Sequence, residues 1–217
     1  MFRWEEEHKK LIEELLDEGL LRDKRIRRAF EELPRHMFVP ESVKRYAFEN
    51  RPLPIGCGQT ISQPSIVAKM TELLDPKPGD KVLEIGTGSG WQAAILARVV
   101  YPGKVYTVER ISELAEFAKK NLETANIKNV EVIVGDGTLG YKKEAPYDKI
   151  IVTAAAPEIP APLIEQLKIN GRMVIPVGSA YMQELLLIIK KDSNDFDVYR
   201  HGACVFVKLI GTYGWKR

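Results

Sequence analysis

The hydrophobic pattern changes character near residue 80. Before it, apolar residues recur at helical spacing. Trp4, Leu11, Ile12, Leu15, Leu16 and Leu20 fall near one face, with acids and lysines opposite, which predicts a helix over 4–20. Asp23 is placed to cap a second helix carrying Ile26, Ala29, Phe30 and Leu33, which Pro34 ends. Ile66, Val67, Met70, Leu73 and Leu74 predict a third, closed by DPKPGD. Beyond residue 80, short continuous apolar runs at 81–86, 104–109, 130–134, 148–153 and 172–177 suit strands buried on both faces of a parallel sheet. Helical stretches separate them: one near 90–100, one from Ser112 as N-cap to about Ala125, and one at 161–168. QELLLIIKK and DVYRHGACVFVKLI, parted by KDSNDF, predict a closing antiparallel hairpin.

Strand and helix in alternation imply right-handed crossovers. The expected fold is α/β and doubly wound: a mostly parallel seven-stranded sheet with an antiparallel C-terminal hairpin and added N-terminal helices. We expect one domain over 1–217, with a helical and loop region at 1–78 and an α/β core at 79–217. Between Pro34 and the third helix lies RHMFVPESVKRYAFENRPLPIGCGQTISQP, rich in Pro and Gly and without clear period. Its aromatic and aliphatic content opposes disorder, and a long irregular segment in a compact protein points to function.

Composition narrows the classes. A chain of 217 residues with 45% hydrophobic content supports a sizeable core. The net charge of +2 is small and interspersed, so no nucleic-acid partner is expected. Cys57 and Cys204 give neither a disulfide framework nor metal spacing, which makes a reducing cytoplasm the expected compartment. Cys57 reads as a small residue packed between glycines. His8, His36 and His201 show no ligand spacing, so no metal is expected. The start, MFRWEEEHKK, lacks the apolar stretch of a secretory signal, and no apolar run approaches the roughly 18 residues of a membrane span. A monomer is expected.

The candidate chemistry centres on KVLEIGTGSG at 81–90. An apolar strand, an acid and glycines at 86, 88 and 90 form a turn that lets backbone approach a ligand closely. The dinucleotide fingerprint has a third glycine three residues after the second, but Trp91 stands there. Glu84 would repel a pyrophosphate and suit a cationic ligand, so S-adenosylmethionine is favoured over a nicotinamide dinucleotide. In an open α/β sheet, ligands sit at the carboxyl ends of the strands. Glu109 ends the second strand and is placed to accept two ribose hydroxyls. Asp136 follows the third strand, either free to accept from an adenine amino group or an ordinary turn aspartate. The fourth strand ends in Thr153, Ala154, Ala155, Ala156 and Pro157, with nothing to accept from or deprotonate an amine. That favours an acceptor already anionic. Ser62, before Gln63 and Pro64, reads as a helix N-cap, and a helix N-terminus with hydroxyls at Thr60 and Ser62 suits a carboxylate. On these residues alone, a methyltransferase for RNA or a small molecule remains an alternative, although aromatic-basic interleaving is lacking.

RHMFVP, RPLPIGCGQTISQP, EIGTGSGWQAAILA, VGDGTLGY, APYDKIIVTAAAPEIP and GRMVIPVG occur in this order. Together they resemble the protein-L-isoaspartate O-methyltransferase family over almost the whole chain. The resemblance implies the Rossmann-like fold of S-adenosylmethionine-dependent methyltransferases. It also implies methyl transfer from S-adenosyl-L-methionine to the α-carboxyl of L-isoaspartyl residues in damaged proteins, with a succinimide formed from the ester. It assigns Ser62 as the active-site serine in a substrate loop with Thr60 and Ile61. It assigns Glu84, Gly86, Thr87, Gly88, Gly90, Glu109, Arg110, Asp136 and Gly137 to the cofactor. The sequence departs modestly from the family at Ser65, Asn170 and Lys208; Asn170 replaces a turn glycine and tolerates left-handed backbone.

Overall fold

The computed structural model describes residues 4–193 and 195–216; Met1, Phe2, Arg3, Arg217 and, in the KDSNDF turn, Asn194 lie outside the described residues. Helix α1 (Trp4–Asp17) buries Leu11, Ile12 and Leu15 and ends three residues short of the expected end. Helix α2 (Lys24–Glu32) buries Ile26, Ala29 and Phe30, and Asp23 caps it by accepting from the Arg25 N–H. The Pro- and Gly-rich segment is more ordered than its pattern suggests. It forms two 3-10 turns, Arg35–Phe38 and Glu41–Tyr46, and an antiparallel hairpin of β1 (Leu53–Gly56) and β2 (Gln59–Ile61). Cys57 is exposed at the tip of that hairpin with φ +52, not packed between its glycines.

Helix α3 (Pro64–Leu74) starts with its proline at the first helical positions, where a missing N–H costs nothing. Its cap is Gln63 and not the expected Ser62. The alternating core then follows: β3 (Lys81–Ile85), α4 (Trp91–Val100), β4 (Lys104–Glu109), α5 (Ser112–Thr124), β5 (Val130–Val134), β6 (Tyr147–Val152), α6 (Ala161–Gln166) and β7 (Leu167–Gly178). Ser112 opens α5 but does not cap it; the cap is Ile111, without a side-chain bond. β7 begins earlier than expected because its pairing with β6 jumps from Tyr147–Leu167 to Lys149–Arg172. Asn170 sits in that irregularity at φ +62, the left-handed conformation its side chain tolerates.

Strands β8 (Gln183–Lys190) and β9 (Phe196–Cys204) complete a seven-stranded sheet of order β5-β4-β3-β6-β7-β8-β9. β3 to β7 pair in parallel; β8 and β9 add as an antiparallel meander, as the C-terminal pattern predicts. The final run is shorter than expected. After Cys204 the chain leaves the sheet and returns beside Ala155, whose N–H donates to Val207 and whose carbonyl accepts from Leu209.

The sheet separates two hydrophobic clusters. One packs Val82, Val105, Ile151 and Val174 beneath α1 to α5; the other packs Leu83, Val108, Ile150 and Met173 with Leu163 of α6. Each fully buried side chain of this size stabilises by roughly 1.5–3 kcal/mol. Chain order reverses between β3 and β6, which opens a crevice at their carboxyl ends. Among the described residues, no helix is long and apolar enough to cross a membrane.

Candidate active site

A cavity occupies that crevice. Its floor is the turn after β3, with Gly86, Thr87 and Gly88, and the β6 end, with Thr153 and Ala154. Glu109 and Arg110 at the end of β4, and Gly137 beyond β5, form one side. Gln59, Thr60, Ile61 and Ser62 form the opposite side, with Val67 and Met70 of α3 behind them. Val207, Lys208, Leu209 and Ile210, returning from β9, close it.

The glycines divide by role. Gly86 has φ +92, and a Cβ there would lie 2.5 Å from Thr153 Oγ1. Gly137 is equally restricted, since a Cβ would stand 2.5 Å from Ile85 Cγ2. Both positions keep backbone at the cavity surface. Gly90 does not line the cavity; it precedes α4 at φ +85 and packs against Ala118 and Leu122.

The three acids also divide. Glu109 lines the cavity, and its two oxygens accept from the Gly88 and Ile111 N–H groups, each at 3.0 Å. Those bonds fix the carboxylate and leave lone pairs on both oxygens for a pair of hydroxyls. Glu84 lies beneath the floor, with no exposed surface. Its Oε2 meets Thr107 Oγ1 at 2.5 Å, Thr107 meets Thr87 Oγ1 at 2.6 Å, and its Oε1 has no partner among the described residues. Burial pushes its pKa up to about 8, the Thr107 bond opposes this, and the Glu109 charge adds to it. Asp136 does not line the cavity. One oxygen accepts from the Thr138 N–H and hydroxyl, the other from the Thr212 N–H and hydroxyl. Its carboxylate ties the returning chain to the turn after β5, and Gly137 takes its place in the wall.

On the opposite side, the first-turn N–H groups of α3 are already committed. Ser65 N–H donates to Asn50, and those of Ile66 and Val67 donate to the Gln63 carbonyl. The helix end therefore offers its dipole more than its donors. The loop before it remains open: among the described residues, the N–H groups of Ser62 and Gln63 and the Ser62 hydroxyl have no hydrogen-bond partner. Across the cavity, Thr153 Oγ1 donates to the Gly86 carbonyl at 2.6 Å, which commits its proton, and the β6 end, Thr153 to Ala156, carries no carboxylate or amide side chain. None of the three histidines lines the cavity.

Several wall residues escape sequence reasoning. Arg35 lies immediately behind the Ile61–Ser62 backbone, fully buried, and donates to both carbonyls. Nothing in the run Pro34–Val39 marks Arg35, because its partners are backbone carbonyls. Trp91 lines the cavity and donates from Nε1 to the Leu33 carbonyl at 2.9 Å. Lys208 brings an amine to the wall, over the Trp215 ring at 5.6 Å. Its approach depends on the chain leaving the sheet after Cys204, which the apolar pattern conceals.

The site fits a ligand with ribose hydroxyls, since Glu109 is the lining carboxylate and the glycine floor admits close backbone approach. Comparison with known proteins agrees. Residues 6–214 match the family model described as protein-L-isoaspartate(D-aspartate) O-methyltransferase. A protein-L-isoaspartate O-methyltransferase of Pyrococcus horikoshii is 53% identical over 212 residues, covering 97% of this chain and 96% of the relative. One from Staphylothermus marinus is 55% identical over 222 residues, with 99% and 98% covered. A solved protein-L-isoaspartate O-methyltransferase superposes with TM-score 0.85 at 34% identity, covering 95% of this chain and 67% of the other. A Plasmodium falciparum protein-L-isoaspartate O-methyltransferase, solved with S-adenosyl-L-homocysteine, gives TM-score 0.83 at 27% identity, with 94% and 98% covered. The fold, the cavity at its switch point and these likenesses lead to one assignment: the chain belongs to the protein-L-isoaspartate O-methyltransferase family.

Proposed function

We propose that this chain repairs aged proteins by methylating the α-carboxylate of L-isoaspartyl residues, giving an ester that collapses to a succinimide. The observation that supports this reading best is the open donor loop at Ser62 across the cavity from a β6 end that carries no carboxylate or amide side chain. S-Adenosyl-L-methionine, when bound, supplies an electrophilic methyl. The residues of this chain bind, orient and exclude water. Glu109 accepts the ribose hydroxyls, and the backbone at Gly86, Thr87, Gly88 and Gly137 lets the cofactor lie close. Arg110 stands beside them in the wall. Ser62, in the loop with Thr60 and Ile61, orients the acceptor carboxylate.

The acceptor has a pKa near 4 and is ionised at neutral pH, so no general base is needed. Catalysis then rests on alignment and on desolvation of the reacting pair. The loop must hold the anion without stabilising it strongly, because ground-state stabilisation reduces nucleophilicity. The chain is further proposed to act as one monomeric domain in the cytoplasm, on protein substrates and not on nucleic acid.

The test uses a synthetic isoaspartyl peptide beside its normal aspartyl twin, with methyl-labelled S-adenosylmethionine. Label should enter the isoaspartyl peptide and leave as methanol in mild base. Label retained after base treatment, or equal labelling of both peptides, refutes the reading.

A further inference from the structure

Arg35 is an unusual cation. Its residue exposure is 0%, and among the described residues it has no carboxylate partner within ion-pair distance. Its guanidinium instead donates to five backbone carbonyls. Nη1 reaches Ala47 at 3.0 Å and Glu49 at 3.2 Å; Nη2 reaches Arg51 at 2.9 Å, Ile61 at 3.3 Å and Ser62 at 2.9 Å. Among the described residues, its Nε has no partner. The guanidinium also lies over the Trp91 ring, 5.6 Å from its centroid. One side chain therefore gathers the 47–51 turn, the loop at Ile61–Ser62 and the aromatic wall of the cavity.

Burying a charge without a counter-charge is costly, and replacing such groups with apolar residues often stabilises a fold. The five carbonyls offset part of that cost, and two of them belong to the loop that faces the cavity. Burial and the Arg51 charge lower its pKa to about 9, with Glu49 opposing, so it stays charged at neutral pH. A trans peptide points its N–H opposite its carbonyl, and the two peptides from Ile61 to Gln63 are trans. Holding the Ile61 and Ser62 carbonyls on the guanidinium thus turns the N–H groups of Ser62 and Gln63 away from it. Those are the partnerless donors of the loop. A cation on the carbonyl also polarises the peptide and strengthens its N–H as a donor.

We propose that Arg35 is a positioning residue for the carboxylate of the substrate: a fixed buried cation behind the Ile61–Ser62 peptides that aims and polarises the donors meeting the anion. The role rests on the function proposed above. Arg35 touches neither substrate nor cofactor in this scheme; it acts through the loop backbone. The charge is shielded from solvent, so its field at the loop is little screened by salt.

The experiment compares R35K and R35Q with the unaltered protein for isoaspartyl-peptide KM and kcat, and for S-adenosylhomocysteine affinity by calorimetry. Lysine keeps the charge but makes fewer bonds; glutamine keeps one amide donor and loses the charge. We expect peptide KM to rise about tenfold in R35K and about a hundredfold in R35Q, the scale of one and two charge-assisted bonds. Cofactor-product affinity should stay within about twofold. Unchanged KM in either folded variant overturns the proposal. So does a cofactor affinity that falls in step with KM, since that marks general support of the cavity. If R35Q does not fold, R35K decides alone; an R35K that cannot be recovered folded makes Arg35 a fold determinant and overturns the proposal too. An unaltered protein inactive on the peptide refutes the proposed function itself, which is read before any variant is compared.

Discussion

Replacing Glu84 with glutamine should remove a large alkaline penalty on stability. The carboxyl is fully buried, with one oxygen on Thr107 and the other without a partner among the described residues. Its pKa is about 8 in the folded chain against 4.5 for an unperturbed group. Below pH 4.5 both folded and unfolded chains hold the proton, and the full stabilising effect is present. Above that, the unfolded chain releases it while the folded chain keeps it, so stability falls as pH rises until the folded group also ionises near 8. Each pH unit in that window costs up to about 1.4 kcal/mol, or about 5 kcal/mol across it. A glutamine amide cannot ionise, and its carbonyl can still accept from Thr107. E84Q should therefore lie within about 1 kcal/mol of the unaltered protein at pH 5, and should be the more stable of the two at pH 9. Guanidinium unfolding of both proteins at pH 5, 7 and 9 reads the difference. Parallel stability curves across that range would show that Glu84 is ionised in the fold and would refute the reasoning.

Three further substitutions separate the roles of the remaining site residues. Glu109→Ala should weaken S-adenosylhomocysteine binding about a hundredfold, from loss of charge-assisted bonds to two hydroxyls; unchanged affinity by calorimetry removes the ribose role. Ser62→Ala should lower kcat/KM for the isoaspartyl peptide about tenfold and leave cofactor affinity intact; a matching loss of cofactor affinity counts against the assignment. Asp136→Ala should lower stability by about 2 kcal/mol through loss of the Thr138 and Thr212 bonds, with little direct effect on cofactor affinity in thermal-shift and binding assays. A loss of affinity without loss of stability would return Asp136 to the adenine.

The strands, most of the helices and a crevice at the strand ends were legible because they follow from local periodicity and from the alternation of strand and helix; the order of the strands in the sheet was not. The runs around Val82, Val105 and Ile151 are continuous and apolar since both sheet faces are covered, and a pattern that regular admits few topologies. The glycines at 86 and 88 were legible for the same reason: only backbone constraints explain them. What stayed hidden depends on distant contacts. Asp136 reads as a free strand-end acid until Thr212, 76 residues later, is seen to occupy it. Glu84 reads as a ligand carboxylate, yet the strand places it beneath the cavity floor on Thr107, where burial raises its pKa. Arg35 has no signature, because its partners are carbonyls and any residue can supply one. The 53–61 hairpin was missed because Pro and Gly mask a strand period that tertiary packing restores. Caps failed at Ser62 and Ser112, each one residue away from the observed cap, Gln63 and Ile111.

The chain that returns after Cys204 has a consequence for truncation. All seven strands of the main sheet precede it, so the sheet's pairing does not use residues 207–210, which close the cavity. The Asp136 clasp and the Trp215 bond to the Ala155 carbonyl then hold that wall in place. A nascent or truncated chain ending near Cys204 would carry the full sheet, give a native-like far-ultraviolet spectrum, and still have an open cavity. Binding competence is thereby separable from the fold: the sheet is the scaffold, and the ligand compartment is sealed by a segment outside it.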